Sequence, residues 1–355
     1  MVNRVQSICS RVALLLLAAV VGCQQPIRLV THSRFDVASP VDANVVARIA
    51  PSIDEGPVVP MRVANGNGRG AIAVVDVDGL LVNTNLAGPY STGDNPVAAF
   101  HEKLAAAERD PQVAAVVVRI NSPGGGVAAS QMMRTELERF RQRTGLPVVA
   151  CLMDVGAGGA YYLATAGDVI YAQPGTVTGG IGVIFNAYNL QDMMAQFNIV
   201  AQAVKAGPNI DIGTPVKGLN PESKAILQRI ADEFHTQFRE DVLATRPIPQ
   251  PADESTFDGR VFTATQALER GLVDRVGSLE DAIEAARILA DCPGAGVVMY
   301  RRESHPAFSI YATTPQVPLQ STVSIFNVPG LERSRLPAFL YLWQPEPTLE
   351  KLSGK

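Results

Sequence analysis

The stretch VAAVVVRINSPGGGVAAS, residues 113–130, decides the fold. Its β-branched apolar run, Val113–Ile120, predicts a buried strand, and Gly124–Gly126 separate this strand from a segment of helical periodicity, 127–143. Glycines permit backbone angles that leave successive N–H groups unpaired at a helix N-terminus, where they could hold an oxyanion or another anion. A tight strand-to-helix connection without chemistry would need the same glycines.

The alternation of strand-like and helix-like segments continues along the chain and predicts an α/β domain. The predicted strands are 71–77, 113–120, 148–152 and 169–171, and the predicted helices are 96–109, 127–143, 160–166, 221–244, 264–270 and 279–290. Asn220 and Ser278 are expected helix caps, and Gly271 is an expected helix stop. We expect one main domain over residues 70–300.

A second glycine-rich turn, Val155–Tyr162, follows the predicted strand 148–152 and opens an apolar helix. A strand, a tight turn and a helix can present a nucleophile at the edge of a sheet. The turn carries no nucleophilic side chain, and close packing of a helix N-terminus on the sheet would also explain its small residues.

The N-terminus has the pattern of an export signal. Arg4 and Arg11 precede an apolar run, 12–21, that is too short to cross a bilayer of roughly 30 Å at about 1.5 Å per residue. The run ends at Gly22-Cys23, which predicts a lipoprotein signal peptide over 1–22 and lipidation of Cys23. An uncleaved anchor or an ordinary secretory signal is the alternative. Residues 23–69 read as an irregular tether.

Charge and metal-ligating residues exclude several classes of function. The sum of 30 Lys+Arg and 34 Asp+Glu is −4, and no basic stretch could follow a phosphate backbone, so no nucleic-acid partner is expected. The four histidines share no ligand spacing, and we expect no metal and no cofactor. Cys151 lies in an apolar run and is predicted to be a buried free thiol.

Five motifs in order resemble the signal peptide peptidase A family of serine peptidases, which is related to the ClpP protease and the crotonases. They are 121–125 (NSPGG), 157–162 (AGGAYY), 178–183 (TGGIGV), 205–215 (KAGPNIDIGTP) and 258–263 (DGRVFT). The resemblance spans roughly residues 70 to 290. It implies a ClpP/crotonase-like fold of repeated ββα units with stacked sheets and flanking helices, and assembly into homo-oligomers.

The resemblance also implies a Ser–Lys dyad, and both positions differ here. Gly158 stands where the family has its nucleophilic serine, and Ile210 stands where it has the general-base lysine. A serine–lysine enzyme needs a hydroxyl and an amine of depressed pKa. Gly158 has no side chain and Ile210 cannot accept a proton, so no catalytic residue is assigned.

Neighbouring residues are poor substitutes for the missing pair. Lys205 is five positions from Ile210, which on a strand would point it to the opposite face. Lys217 falls in an expected loop and Ser122 in the first glycine turn. Ser130 and Thr165 are expected on helices, away from the nucleophile position.

These observations predict a homologue that retains the peptide-binding part of the design without hydrolysis. The expected oxyanion and peptide-binding residues are Gly124, Gly125, Gly126 and Gly159. The expected partners are peptides or signal-peptide fragments, the membrane through a lipid anchor, and further copies or an active homologue. The expected location is the bacterial envelope, with the chain facing the periplasm or the exterior. The alternative is an active envelope endopeptidase that cleaves signal-peptide remnants or membrane-protein fragments through a non-standard dyad.

Residues 301–355 form a C-terminal arm rich in Pro and hydroxyl residues and interspersed with aromatic residues. It is expected to pack on its own domain or on a neighbouring subunit. The alternative is a docking segment for another envelope protein, with Pro337–Trp343 as its apolar part.

Overall fold

The computed structural model of the chain describes residues 28–31, 45–48, 56–85, 94–313 and 339–343. The chain divides into two compact units, residues 1–52 and 53–355. The first contains strands β1 and β2, Arg28–Thr31 and Val45–Arg48, which pair antiparallel. The predicted signal peptide and Cys23 lie outside the described residues.

The second unit is built of strands and helices that alternate along most of the chain. Its strands are β3 Val58–Ala64, β4 Ala71–Asp78, β5 Val113–Ser122, β6 Gly124–Gly126, β7 Val148–Ala157, β8 Val169–Ala172, β9 Val177–Gly179, β10 Val261–Thr263, β11 Arg275–Val276, β12 Gly296–Arg302 and β13 Leu340–Leu342. Its helices are α1 Pro96–Arg109, α2 Val127–Thr144, α3 Gly159–Ala164, α4 Gln191–Gln196, α5 Pro221–Thr245, α6 Ala264–Glu269 and α7 Leu279–Leu289, with a 3₁₀ turn at Glu254–Phe257.

A nine-stranded sheet organises this unit, in the order β10-β9-β7-β5-β4-β12-β3, with β8 and β11 branching from β7. The central strands run parallel, whereas β3 and β10 pair antiparallel with their neighbours. Strand β7 forks, because its first half pairs with β8 and its last residues pair with β9. The fork opens the sheet beside the end of β7, where α3 begins.

The central strands are buried on both faces, as expected for parallel strands with near-continuous apolar sequences. Alternate residues enter two cores. Val75 and Val118 face a cluster that includes apolar side chains of α1 and α2, whereas Val74 and Val117 face a cluster that includes α7. The predicted α/β class is confirmed.

Two helices begin at the capping residues that the sequence predicts. Asn220 and Ser278 cap α5 and α7 by accepting hydrogen bonds from backbone N–H groups. Cys151 lies fully buried on β7 as a free thiol, and burial raises its pKa to about 12.

Three segments differ from the sequence prediction. Strand β3 lies in the segment predicted to be irregular, so the sheet begins before residue 70. Strand β7 continues to Ala157, through the first three residues of the predicted second turn. The glycines of the first turn form a strand, β6, that pairs with β13 from the far end of the chain.

A buried ion cluster ties α1 and β12 to the central strand β4. The Asp76 carboxylate is completely buried and lies 2.9 Å from both Lys103 Nζ and an Arg301 guanidinium nitrogen. Arg119 lies 3.2 Å from Asp78 in the same cluster. Removal of one member of such a cluster leaves an uncompensated buried charge, which costs far more than the loss of a surface pair.

We therefore expect Asp76→Ala to lower the free energy of unfolding by about 3–5 kcal/mol, because the buried Lys103, Arg119 and Arg301 each lose an ion-pair partner. Urea titration followed by far-ultraviolet circular dichroism measures this change. The control is Glu303→Ala, which removes an exposed carboxylate and should change stability by less than about 0.5 kcal/mol. Equal effects of the two substitutions would contradict a structural role for the cluster.

Candidate active site

The turn between β7 and α3 holds its central residue in a strained conformation. Gly158 has φ 55° and ψ −124°, a region that residues with a side chain rarely adopt. Its N–H donates to the Gly179 carbonyl at 2.9 Å, and its own carbonyl accepts from the Tyr162 N–H at 2.9 Å. A sharp, strained strand-to-helix turn of this kind exposes a nucleophile in many hydrolases. We refer to Ala157–Gly159 as the elbow.

Strand β6 lies beside the elbow, and its amides have partners. The Gly124 N–H donates to Ser122 Oγ at 3.1 Å, and the Gly126 N–H donates to the Leu81 carbonyl at 2.8 Å. The prediction of successive unpaired N–H groups is therefore wrong for Gly124 and Gly126. The loop before α1 satisfies one edge of β6, because the Leu81 N–H donates to the Gly124 carbonyl at 3.0 Å.

The other edge of β6 faces the segment Phe339–Trp343, which we call the C-terminal segment. Strand β13 places Tyr341 opposite Gly125. On either side of this pair, the Val127 N–H donates to the Phe339 carbonyl at 3.3 Å, and the Trp343 N–H donates to the Pro123 carbonyl at 2.9 Å. In an antiparallel ladder, hydrogen-bonded residue pairs alternate with non-hydrogen-bonded pairs. Gly125 and Tyr341 therefore form the hydrogen-bonded pair that lies between these two flanking bonds.

The two glycine-rich segments and Tyr341 converge on one point. An ideal Cβ on Gly158 would lie 2.4 Å from the Tyr341 carbonyl oxygen and 2.8 Å from its carbonyl carbon. An ideal Cβ on Gly124 would lie 2.0 Å from the same oxygen and 2.8 Å from the Gly159 nitrogen. The structure thus brings together the four predicted oxyanion and peptide-binding residues, which are Gly124, Gly125, Gly126 and Gly159.

An aromatic pocket receives the Tyr341 side chain. The ring is fully buried, with its centroid 4.6 Å from that of Phe238 and 5.5 Å from that of Tyr162. Its hydroxyl donates to the Phe234 carbonyl at 2.9 Å. Burial raises the pKa of the Tyr341 phenol well above its usual value, so the hydroxyl keeps its proton. Helix α5 supplies Phe234 and Phe238, and α3 supplies Tyr162.

The position of the family's general base lies on a loop of turns. Ile210 is 74% exposed there. Residues 205–210 do not form a strand, so the predicted orientation of Lys205 on the opposite face does not apply. Lys205 Nζ instead donates to Asp211 at 2.7 Å and to the Pro208 carbonyl at 2.9 Å. Lys217 Nζ lies 2.7 Å from the same carboxylate.

Charge pairing on this loop works against a general base. The hydrogen bond to Asp211 raises the pKa of Lys205, which therefore holds its proton more firmly than a free lysine. Hydrogen bonds from Lys205, which has the larger effect, and from Lys217 lower the pKa of Asp211 to about 2. A Ser–Lys mechanism requires the opposite change, an amine with a depressed pKa.

One hydroxyl group, that of Ser130, lies closer to the elbow than the sequence indicated. Ser130 is buried and donates to the Gly126 carbonyl at 2.9 Å, and an ideal Cβ on Gly159 would lie 2.0 Å from its Oγ. The expectation that Ser130 lies away from the nucleophile position is wrong. Ser122 Oγ accepts a hydrogen bond from the Gly124 N–H. Thr165 donates to the Tyr162 carbonyl at 2.7 Å.

The described ranges hold neither a cluster of metal ligands nor a membrane-spanning helix. Within them, no group of three or more His, Cys, Asp or Glu side chains could hold a metal ion. No helix in the same ranges has the length and hydropathy to span a membrane.

Such a site can hold an extended peptide and hydrogen-bond one of its carbonyl oxygens. The parallel sheet, the elbow and the neighbouring glycine strand define an α/β scaffold of the kind that can present a nucleophile at the edge of a sheet. The central residue of the elbow is Gly158, which has no side chain.

Comparison with known proteins assigns the family. The model of peptidase family S49 matches residues 140–292. A Synechocystis protein assigned as a protease, slr0021, is 40% identical over 176 residues, which are 50% of this chain and 63% of that protein. The chloroplastic serine protease SPPA of Arabidopsis thaliana is 30% identical over 68% of this chain and 36% of its own length. Protease 4 of Salmonella typhi is 31% identical over 62% of this chain and 35% of its own length.

The S49 match over residues 140–292 and the SppA and protease 4 relatives support membership of the signal peptide peptidase A (SppA) family. The predicted α/β fold is confirmed as a large, mostly parallel sheet with flanking helices. The chain spans less than two thirds of the length of each of these relatives.

The conformation of Gly158 leads to a stability prediction. Gly158→Ala is expected to lower the free energy of unfolding by at least about 1–2 kcal/mol, because a Cβ is disfavoured at this backbone conformation and also meets Tyr341. Urea titration measures the loss. Gly175→Ala is the matched control, since a Cβ there meets nothing within 4 Å. A loss no larger at 158 than at 175 would contradict the elbow conformation.

Proposed function

We propose that this chain is a membrane-tethered SppA homologue that binds extended peptides without hydrolysing them. The observation that carries the proposal is Gly158, which adopts the conformation of a nucleophile elbow and has no side chain to attack a substrate. Nucleophilic catalysis needs an attacking group and a base within hydrogen-bond reach of each other.

The remaining hydroxyl and amine groups support the same proposal. Ser122 and Ser130 bond to the backbone of the glycine strand. Lys205 is paired with Asp211 on a loop, and that pairing favours its charged form. Within the described part of the chain, neither hydroxyl is hydrogen-bonded to a side-chain amine.

Peptide binding needs less than catalysis does. A backbone edge that supplies N–H and C=O groups gives affinity to an extended segment, and side-chain pockets give specificity. Gly125 supplies such an edge, and the aromatic pocket of Tyr162, Phe234 and Phe238 lies next to it. Binding of peptides or signal-peptide fragments, alone or beside an active homologue, follows from these features.

The second candidate function is an envelope endopeptidase with a non-standard nucleophile. The close approach of Ser130 to Gly159 favours it, as do the protease names of the relatives. Catalysis by Ser130 would require the hydroxyl to leave its hydrogen bond with Gly126 and to find a base.

A fluorophosphonate probe and a quenched fluorogenic peptide library distinguish these two functions. We expect neither labelling nor turnover, because none of the described residues places an activated hydroxyl at the elbow. Both assays are run on the native chain and on Tyr341→Asp, so that a filled cleft cannot hide an active site. An active serine protease serves as the positive control for both reagents.

Stoichiometric labelling that disappears in Ser122→Ala or Ser130→Ala would overturn the non-hydrolytic proposal. Turnover of a peptide by either form, retained after repeated purification, would do the same.

The membrane tether rests on the sequence of residues 1–23. We expect the chain to sediment with bacterial membranes and Cys23→Ala to move it to the soluble fraction, because lipidation of that thiol would be lost. Incorporation of labelled palmitate into the chain, compared between the two forms, is the measurement. Cys292→Ala is the matched control and should behave like the native chain. Equal membrane association of Cys23→Ala and the native chain would contradict the tether.

A further inference from the structure

A cavity lies at the edge of the sheet opposite the elbow. Strands β4, β5 and β7 run parallel, and the elbow lies at the C-terminal end of β7. The cavity is lined by residues 68–70, which precede β4, and by residues 111–114 at the start of β5. Its volume is about 530 Å³, within the range of clefts that bind small molecules. It is therefore a site separate from the one at Gly158.

Two arginines bring positive charge to this cavity. Arg62 comes from β3 and Arg69 from the loop between β3 and β4, and both are exposed. Neither pairs with a carboxylate of the described residues, and none of the described residues that line the cavity is acidic. The whole chain has a net charge of −4, so the positive charge is a local feature.

Gln112 adds a third donor group, and the neighbouring acid is engaged elsewhere. The carboxamide oxygen of Gln112 accepts from Arg62 at 3.3 Å, which leaves the carboxamide nitrogen as a donor. The two carboxylate oxygens of Asp110 accept from the Gln112 N–H at 2.9 Å and from the Tyr300 hydroxyl at 2.8 Å. Asp110 is therefore held by its own hydrogen bonds and does not line the cavity.

The wall that carries Arg69 is closely packed. An ideal Cβ on Gly66 would lie 2.2 Å from the Gly294 carbonyl oxygen, and one on Gly68 would lie 2.1 Å from the Pro293 carbonyl oxygen. The Gly68 N–H donates to the Gly294 carbonyl at 2.9 Å. This glycine-rich loop thus lies backbone against backbone on residues 293–296. A preformed wall of this kind reduces the cost of ordering a site when a ligand binds.

The lining favours one class of anion. Guanidinium groups form bidentate pairs with both carboxylates and phosphates, but two of them match the charge of about −1.5 to −2 that a phosphate monoester carries near neutral pH. The described lining residues include no aromatic ring on which a nucleobase could stack. Pro111, Val113 and Ala114 instead offer a small apolar surface to a short aliphatic group.

We propose that this cavity binds a phosphate monoester carried on a short aliphatic group, such as glycerol phosphate, with Arg62, Arg69 and Gln112 as the donors. The same chemistry occurs in a free sugar or glycerol phosphate and in the headgroup of phosphatidic acid. The site acts independently of peptide binding at the elbow, because it shares no lining residue with it.

Cys292 reports occupancy, because its partly exposed free thiol lines the cavity. Glycerol 3-phosphate should slow the alkylation of this thiol by iodoacetamide, and mass spectrometry of the peptide that contains residue 292 measures the rate. Glycerate, which carries a carboxylate on the same three-carbon skeleton, should need at least about a tenfold higher concentration for the same protection. Equal protection by glycerate and glycerol 3-phosphate would overturn the assignment of a phosphate site.

Substitutions of the three donors test their roles in the native full-length chain. Arg62→Ala and Arg69→Ala should each raise the half-protecting concentration at least about tenfold, because each removes a charge-assisted hydrogen bond. Gln112→Glu keeps the size of the side chain, adds a negative charge and should abolish protection. Arg229→Ala is the matched control, since it removes an exposed arginine of α5 that does not line the cavity. Equal protection in these four variants would overturn the proposal.

Vesicles distinguish a soluble ligand from a lipid headgroup. Protection of Cys292 by glycerol 3-phosphate alone assigns a soluble ligand, and stronger protection by phosphatidylcholine vesicles that contain phosphatidic acid than by pure phosphatidylcholine vesicles assigns the headgroup. Far-ultraviolet circular dichroism verifies that each variant is folded, as expected for exposed positions. Protection in neither arm, or equal protection by the two kinds of vesicle without protection by glycerol 3-phosphate, would show that the cavity is not a phosphate site.

Discussion

The turn at Gly158 is the constraint on which the site depends. Hydrogen bonds to Gly179 and from Tyr162 fix both sides of this residue, and the forked β7 leaves open sheet beside it. The positive φ directs any side chain at 158 toward the glycine strand and Tyr341. A serine in this conformation would face a peptide carbonyl, whereas a glycine provides no nucleophilic atom.

The remaining features of the site are a glycine strand that accepts a second strand and an aromatic pocket beside it. Strand β6 has no side chains, so a second strand can approach it closely, and its outer edge is satisfied by Leu81. Helices α3 and α5 then provide the pocket for one ring of the bound segment. The buried Asp76 cluster holds β4, α1 and β12 together at the centre of the sheet, remote in function from peptide recognition.

Local signals predicted much of the fold, and long-range pairing accounts for what they missed. Helix α1 has the predicted bounds because Asn95 and Pro96 define its start. Strand β6 escaped prediction because three glycines have little strand propensity, and their partner lies near the other end of the chain. Ser130 was misplaced because helical periodicity does not reveal that Gly159 packs against it. The predicted orientation of Lys205 assumed a strand, and residues 205–210 do not form one.

A crystal structure of the native chain, grown after incubation with a fluorophosphonate, tests the central claim most directly. It should show an unmodified site with the Tyr341 carbonyl above Gly158 and its ring between Tyr162 and Phe238. A phosphoryl group on Ser122 or Ser130, or a cleft from which Phe339–Trp343 is absent, would contradict it.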